Sequence, residues 1–131
     1  MAAVSSMAAI RSYRDLIAWQ KAMELVVVTY RQSSRLPNEE KFGLRAQIRR
    51  CAVGIPANIA EGWGRRSTGD YTRFLNIAIG STFELVTHAE VSQRLGFDGD
   101  WDEVLASAHE VGRILNALIR SIENRPASPN G

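Results

Sequence analysis

Apolar residues in this chain recur three or four positions apart in four successive segments, and no segment alternates in steps of two. That spacing lines the apolar side chains of each segment along one stripe of a helix and gives a β-strand no continuous face to bury. The first helix is predicted over about 14–34, with Leu16, Trp19, Met23, Val26 and Tyr30 on its stripe. The second carries Leu44, Ile48, Cys51, Ile55 and Ile59 and closes in Gly62-Trp63-Gly64-Arg65-Arg66. Ser67 or Thr68 opens the third, which runs through Tyr71, Leu75, Ala78, Leu85 and Ala89 to Leu95. Asp100 opens the fourth, with Trp101, Val104, Ala108, Val111, Leu115, Leu118 and Ile122 facing inward. Leu36-Pro37 ends the first helix, because a residue before proline avoids the α region. Asn38, followed by Glu39 and Glu40, is placed to cap the second. Gly96 and Gly99 break the chain before the fourth. Short connections make sequential helices antiparallel, so the predicted fold is an all-α, up-down-up-down four-helix bundle.

Pro56 falls inside the second stripe, where it removes one backbone hydrogen bond and crowds the preceding turn. The stripe continues past it and Gly54 leaves room to bend, so one kinked helix is expected rather than two. Asn58 lies near the core side and Glu61 at the flank, close to Arg65. Both read as structural, fixing register or satisfying backbone groups that Pro56 frees. The same helix has an apolar back: at about 100° per residue, Phe42, Ala46, Val53, Ala57 and Ala60 cluster opposite the core stripe. In a small bundle the simplest cover for a second apolar face is another copy of the chain, which predicts a homo-oligomer.

A length of 131 residues fits one domain. Residues 1–12 are small and acid-free and read as a disordered extension, 13–124 as the bundle, and 125–131, with two prolines, as a disordered tail. No apolar run approaches the roughly twenty residues that a membrane-spanning helix needs. A single cysteine excludes an internal disulfide and points to a reducing compartment, so a cytoplasmic location without membrane association is expected.

Charge is small in sum, +2, but uneven. Residues 41–73 hold Lys41, Arg45, Arg49, Arg50, Arg65, Arg66 and Arg73 against Glu61 and Asp70, a net of +5. Residues 84–110 hold seven acids against Arg94 alone, a net of −6. A basic stretch can meet phosphate or the acidic stretch of a neighbouring subunit. Fourteen of the sixteen basic residues are arginine, which suits planar, bidentate contacts, although a GC-rich coding bias gives the same count.

Recognisable chemistry is sparse. No Gly-x-Ser-x-Gly, Walker loop or dinucleotide glycine pattern occurs. Glu84 and His88 stand four apart and could seed half of a carboxylate–histidine metal site, but the paired Glu-x-x-His pattern of carboxylate-bridged bundles is missing. An ordinary side-chain pair is the default for such spacing. Cys51, on the core stripe, reads as an inert core residue. A non-enzymatic protein without catalytic residues, metal or cofactor is expected.

Phe42-Gly43-Leu44-Arg45-Ala46-Gln47-Ile48-Arg49-Arg50 and Gly54-Ile55-Pro56-Ala57-Asn58-Ile59-Ala60-Glu61-Gly62 closely resemble the signature of a four-helix bundle family. Its members are encoded within intervening sequences of bacterial 23S ribosomal RNA genes. Tyr13-Arg14-Asp15-Leu16, Trp19-Gln20-Lys21-Ala22 and the stretch from Phe74-Leu75 to Glu84-Leu85 extend the similarity, which spans about 13–118. Gly54 stands where relatives usually have serine, and 86–91 drifts from the usual pattern. The resemblance implies a homopentameric ring of antiparallel bundles. It also implies kinship with accessory proteins of diversity-generating retroelements, which look like basic barrels that bind nucleic acid and a reverse transcriptase.

Two functions compete on these grounds. In the first, Arg45, Arg49, Arg50, Arg65, Arg66 and Arg73 bind RNA or DNA through phosphate, with salt-sensitive, sequence-independent affinity. Trp63 is either a base-stacking side chain in this reading or a packed hinge residue. In the second, the chain is a structural or protein-partner scaffold whose basic and acidic stretches pair across subunits.

Overall fold

The computed structural model describes residues 9–125, and the parts of the predicted extension and tail that lie at 1–8 and 126–131 fall outside them. Four long helices make up the fold: α1 (Ile17–Ser33), α2 (Leu44–Trp63), α3 (Thr68–Arg94) and α4 (Trp101–Glu123). Each packs on its neighbours in the chain, and α1 closes the circle against α4. Partners run in opposite directions. Cys51 meets Glu84 while Gly62 meets Phe74, and Lys21 meets Glu110 while Arg35 meets Asp98. This is the antiparallel four-helix bundle that the periodicity predicts.

Local chemistry sets the ends of the helices. Ser12, the last residue of the predicted extension, closes a capping box with Asp15 over a single 3-10 turn at Tyr13–Asp15. Leu16 is then extended, so α1 begins at Ile17 rather than at Arg14. Asn38 does not cap α2: Asn38–Glu40 forms its own 3-10 turn, and the Glu40 carboxylate accepts from the Leu44 amide at 2.9 Å. Glu40, at the end of that turn, stands four positions before Leu44, whereas Asn38 at its start stands six before it. Ser67 caps α3 by accepting from the Asp70 amide at 3.1 Å, and Asp100 caps α4 by accepting from the Glu103 amide at 3.1 Å. Gly96 and Gly99 take φ values of 72° and 140°, a backbone region closed to most side chains, and so turn the chain from α3 into α4.

Three of the predicted inward stripes hold, with Ile119 buried where Leu118 is only half-buried and Leu95 exposed. The stripe of α1 does not hold. Its buried residues are Ala18, Ala22, Leu25, Thr29, Gln32 and Ser33, whereas Met23 and Tyr30 face solvent and Trp19 and Val26 flank the core. Residues 16–30 are apolar almost all round, so picking the largest side chains gives the wrong face. The seam instead takes alanines, which let backbones approach, and the larger residues cover its margins. Leu25, Ile48, Ile55, Ile59, Leu75, Leu85 and Leu115 are fully buried at the centre. Each contributes roughly 1.5–3 kcal/mol through water exclusion.

α2 passes unbroken through Pro56, which is itself buried. Asn58 donates from its side-chain amide to the Gly54 carbonyl at 2.7 Å, one turn back. The carbonyl that Pro56 deprives of a donor is that of Ala52, so the asparagine braces the helix beside the proline rather than replacing the lost bond. Glu61 holds Arg65 at 2.6 Å. Gly62 lies within the last turn of α2, and its role is space: a Cβ there would stand 2.9 Å from the Phe74 Cβ and 3.1 Å from the Tyr71 carbonyl oxygen.

Replacing a helical glycine by alanine ordinarily stabilises a protein by up to about 1 kcal/mol. Gly112→Ala, with open space where the added Cβ would stand, should follow that rule. Gly62→Ala should reverse it and lower stability by about 1–3 kcal/mol through overpacking against α3. Urea unfolding of the two variants checks this sign difference.

Candidate nucleic-acid interface

The six candidate arginines fall into two groups at opposite ends of α2. Fifteen positions separate Arg50 from Arg65, about 22 Å along a helix. One continuous site is therefore not formed by all six.

Arg45 and Arg49 turn inward to the end of α1. Arg45 donates from Nε to the Ser33 carbonyl at 3.1 Å and from Nη2 to the Leu36 carbonyl at 2.6 Å. Arg49 donates from Nε to Ser33 Oγ at 2.8 Å and from Nη2 to the Tyr30 carbonyl at 3.3 Å, and its guanidinium lies 4.5 Å from the centre of the Tyr30 ring. The Tyr30 and Ser33 carbonyls already accept from the Ser34 and Leu36 amides, and the two cations add second bonds where the end of the helix carries partial negative charge. These side chains are part of the fold. Arg50, exposed on the outer side of α2, makes no ion pair or side-chain hydrogen bond among the described residues.

Arg65, Arg66 and Arg73 come together at the connection between α2 and α3. Arg65 pairs with Glu61 at 2.6 Å and Arg73 with Asp70 at 3.6 Å. Both guanidiniums also lie against one aromatic ring, 4.6 and 4.5 Å from the centre of Phe74. Carboxylate and ring together hold each arginine over the connection while leaving other donors outward. Arg66 is exposed and makes no ion pair among the described residues. Trp63 packs edge-on against Tyr71, with ring centres 6.3 Å apart, and is half-buried as a hinge residue. Burial pushes the Tyr71 hydroxyl above its usual pKa.

The acidic stretch is engaged within the chain. Glu103 pairs with Arg31 at 3.8 Å and accepts from Gln32 at 3.3 Å, while Glu110 pairs with Lys21 at 3.3 Å. Asp98 receives two hydrogen bonds from Arg35, each 3.1 Å, and Asp102 accepts from Gln93 at 2.7 Å. Sequence reasoning missed the bases of α1 as their partners, because only the antiparallel closure of α1 on α4 reveals the pairing.

The predicted apolar back of α2 lies outside the bundle core. Phe42 falls in the turn before α2 rather than on the helix and is 88% exposed; on α2 itself Val53 is 44% exposed, Ala57 exposed and Ala46 and Ala60 half-buried. Cys51 is buried on the opposite side, and its thiol donates to Glu84 Oε2 at 3.3 Å. Desolvation first, and the adjacent carboxylate second, push this thiol up to about 11. Among the described residues, no helix is long and apolar enough to cross a membrane.

A family model described as 23S rRNA-intervening sequence protein matches residues 14–117. Among solved structures the chain is similar to a protein of unknown function from the S23 ribosomal protein family of Bacteroides thetaiotaomicron VPI-5482. The two are 26% identical with a TM-score of 0.73, over 79% of this chain and 96% of that one. No curated protein matches the chain.

The division between inward and outward arginines has a measurable consequence. Arg45→Ala and Arg49→Ala strip donors from the half-buried end of α1 and should each lower stability by about 1–3 kcal/mol. Arg50→Ala and Arg66→Ala should stay within about 0.5 kcal/mol of the parent. Urea midpoints measured in parallel distinguish the two classes.

Proposed function

The chain belongs to the 23S rRNA-intervening sequence protein family, and on that premise we propose that it is a non-enzymatic, oligomeric module that contacts the phosphate backbone of nucleic acid. The observation that carries this reading is the convergence of Arg65, Arg66 and Arg73 on the α2–α3 connection, with two of the three arginines held against Phe74. A guanidinium whose orientation is already fixed loses little conformational freedom on meeting a phosphate oxygen and can offer it two parallel N–H donors. Contacts of this type carry affinity without reading sequence. Arg50 stands apart from these three on the outer side of α2, four positions after Ala46 and three before Val53.

The oligomer follows from the other exposed feature of α2. A face of Ala46, Val53, Ala57 and Ala60, approached by Phe42, offers small residues for close helix contact and two larger side chains for burial. Copies joined through this face would repeat the arginine end once per subunit, and repeated weak contacts on one nucleic acid gain strength through effective concentration. A scaffold held by basic-to-acidic pairing between subunits is less favoured, since the acids of α4 already have partners on α1 and α3.

Binding to a structured RNA and to a duplex DNA, measured across a salt series, tests the first element. Arg66→Ala and Arg73→Ala should weaken binding to all sequences alike and reduce the slope of log affinity against log salt by about one unit each. Wild-type protein that binds neither probe at low salt would end the reading. For the second element, Val53→Glu places a charge in the proposed contact and should reduce the mass measured by light scattering to that of a smaller species.

A further inference from the structure

Midway along the α2–α3 pair, the Cys51 sulfur, a Glu84 carboxylate oxygen and a His88 imidazole nitrogen all lie within 4.8 Å of one another. We propose that Cys51, Glu84 and His88 form a binding site for one zinc-class divalent ion, with a fourth coordination position open to solvent.

The donor set is the first argument. One sulfur, one nitrogen and one oxygen are the three ligand types that zinc takes in proteins, and three ligands with an open position is an arrangement it commonly adopts. Thiolate and carboxylate together also balance the charge of a divalent ion, leaving a neutral centre beside the neutral imidazole. Arg50, next to Cys51 on α2, is the neighbouring cation and points to solvent, where water screens it.

Geometry is the second argument. Glu84 and His88 are one turn apart on the same face of α3, and Cys51 reaches them from the facing helix. Bonds of about 2.0–2.3 Å around a tetrahedral centre set neighbouring donors roughly 3.3–3.8 Å apart. The thiol and carboxylate already stand at 3.3 Å. The remaining gap closes by rotation of side chains at the groove rim, since His88 is half-buried and Glu84 exposed, while the buried Cys51 stays fixed. The same gradient from buried sulfur to exposed carboxylate gives an ion its way in. On binding, the Sγ–H bond breaks, the proton leaves to water and the sulfur lone pair forms the metal bond. No oxidant or reductant takes part. An ion held this way would staple α2 to α3 independently of the arginines and of assembly.

The test is titration of the full chain, stripped with chelator, with cobalt(II) as a spectroscopic stand-in and then with zinc(II). The expected result is a saturable thiolate-to-cobalt charge-transfer band at one ion per chain, displaced by zinc. His88→Gln and Glu84→Gln, both at solvent-reached positions, should keep their helical circular dichroism and lose at least about tenfold in zinc affinity. Cys51→Ser should abolish the sulfur band. His109→Gln, an exposed histidine elsewhere, should bind as the parent does. A cobalt spectrum without the sulfur band, or zinc affinity unchanged by His88→Gln, would overturn the site.

Discussion

The end of α1 is where the fold is tied together. Its closing carbonyls keep acceptor capacity beyond the turn bonds from the Ser34 and Leu36 amides, and Arg45 and Arg49 of α2 fill it by donating to Ser33, Leu36 and Tyr30. The same short segment reaches the start of α4. Gln32 is almost fully buried, accepts from the Asp100 amide at 2.7 Å and donates to Glu103, while Arg35 clasps Asp98 through two bonds. Three helices thus meet at one set of polar groups. Hydrophobic burial supplies most of the stability, but the effect is non-directional and does not by itself choose a register. These directional bonds fix which turn of α1 stands beside which turn of α2 and α4.

That division of labour explains what was legible in the sequence. Helix number, order and antiparallel course follow from spacing and punctuation alone, because Ile48, Ile55 and Ile59 of α2, Leu75 and Leu85 of α3, and Val104, Val111 and Leu115 of α4 recur at helical spacing and are all buried. In α1 the signal fails. Ile17, Val27 and Tyr30 are as apolar as the residues inside, and only packing reveals that Ala18 and Ala22 occupy the seam. The cap at α2 is misread for a related reason: Glu40 acts from one turn earlier than the usual position, at the end of an extra 3-10 turn that no propensity announces.

The candidate site was legible in composition more than in geometry. A run of arginines at 45–73 is visible in the chain, yet its members serve three different ends: two bind helix carbonyls, two brace an aromatic ring beside a turn, and two stand free in solvent. Sequence distance cannot sort them, because the carbonyls of α1 that claim Arg45 and Arg49 come from a different helix. Cys51, Glu84 and His88 show the same limit in reverse. The pair on α3 is readable at four-residue spacing, but the cysteine that joins it is thirty-three positions away from Glu84.

The manner in which arginine is used also bears on how this gene can drift. Two of the six arginine codons lie one nucleotide from a lysine codon, and at a solvated surface the exchange is close to silent in its physical effect. Here the guanidinium of Arg45 spans two carbonyls at once, that of Arg49 covers a ring while donating sideways, and those of Arg65 and Arg73 share the Phe74 ring. An ammonium group is a point charge without a plane or a fork, so it could replace none of these contacts in full. Four of the arginines are therefore barred from the commonest route of basic-for-basic exchange, whatever the nucleotide bias of the surrounding genome, while Arg50 and Arg66 are open to it until a ligand makes the same demand.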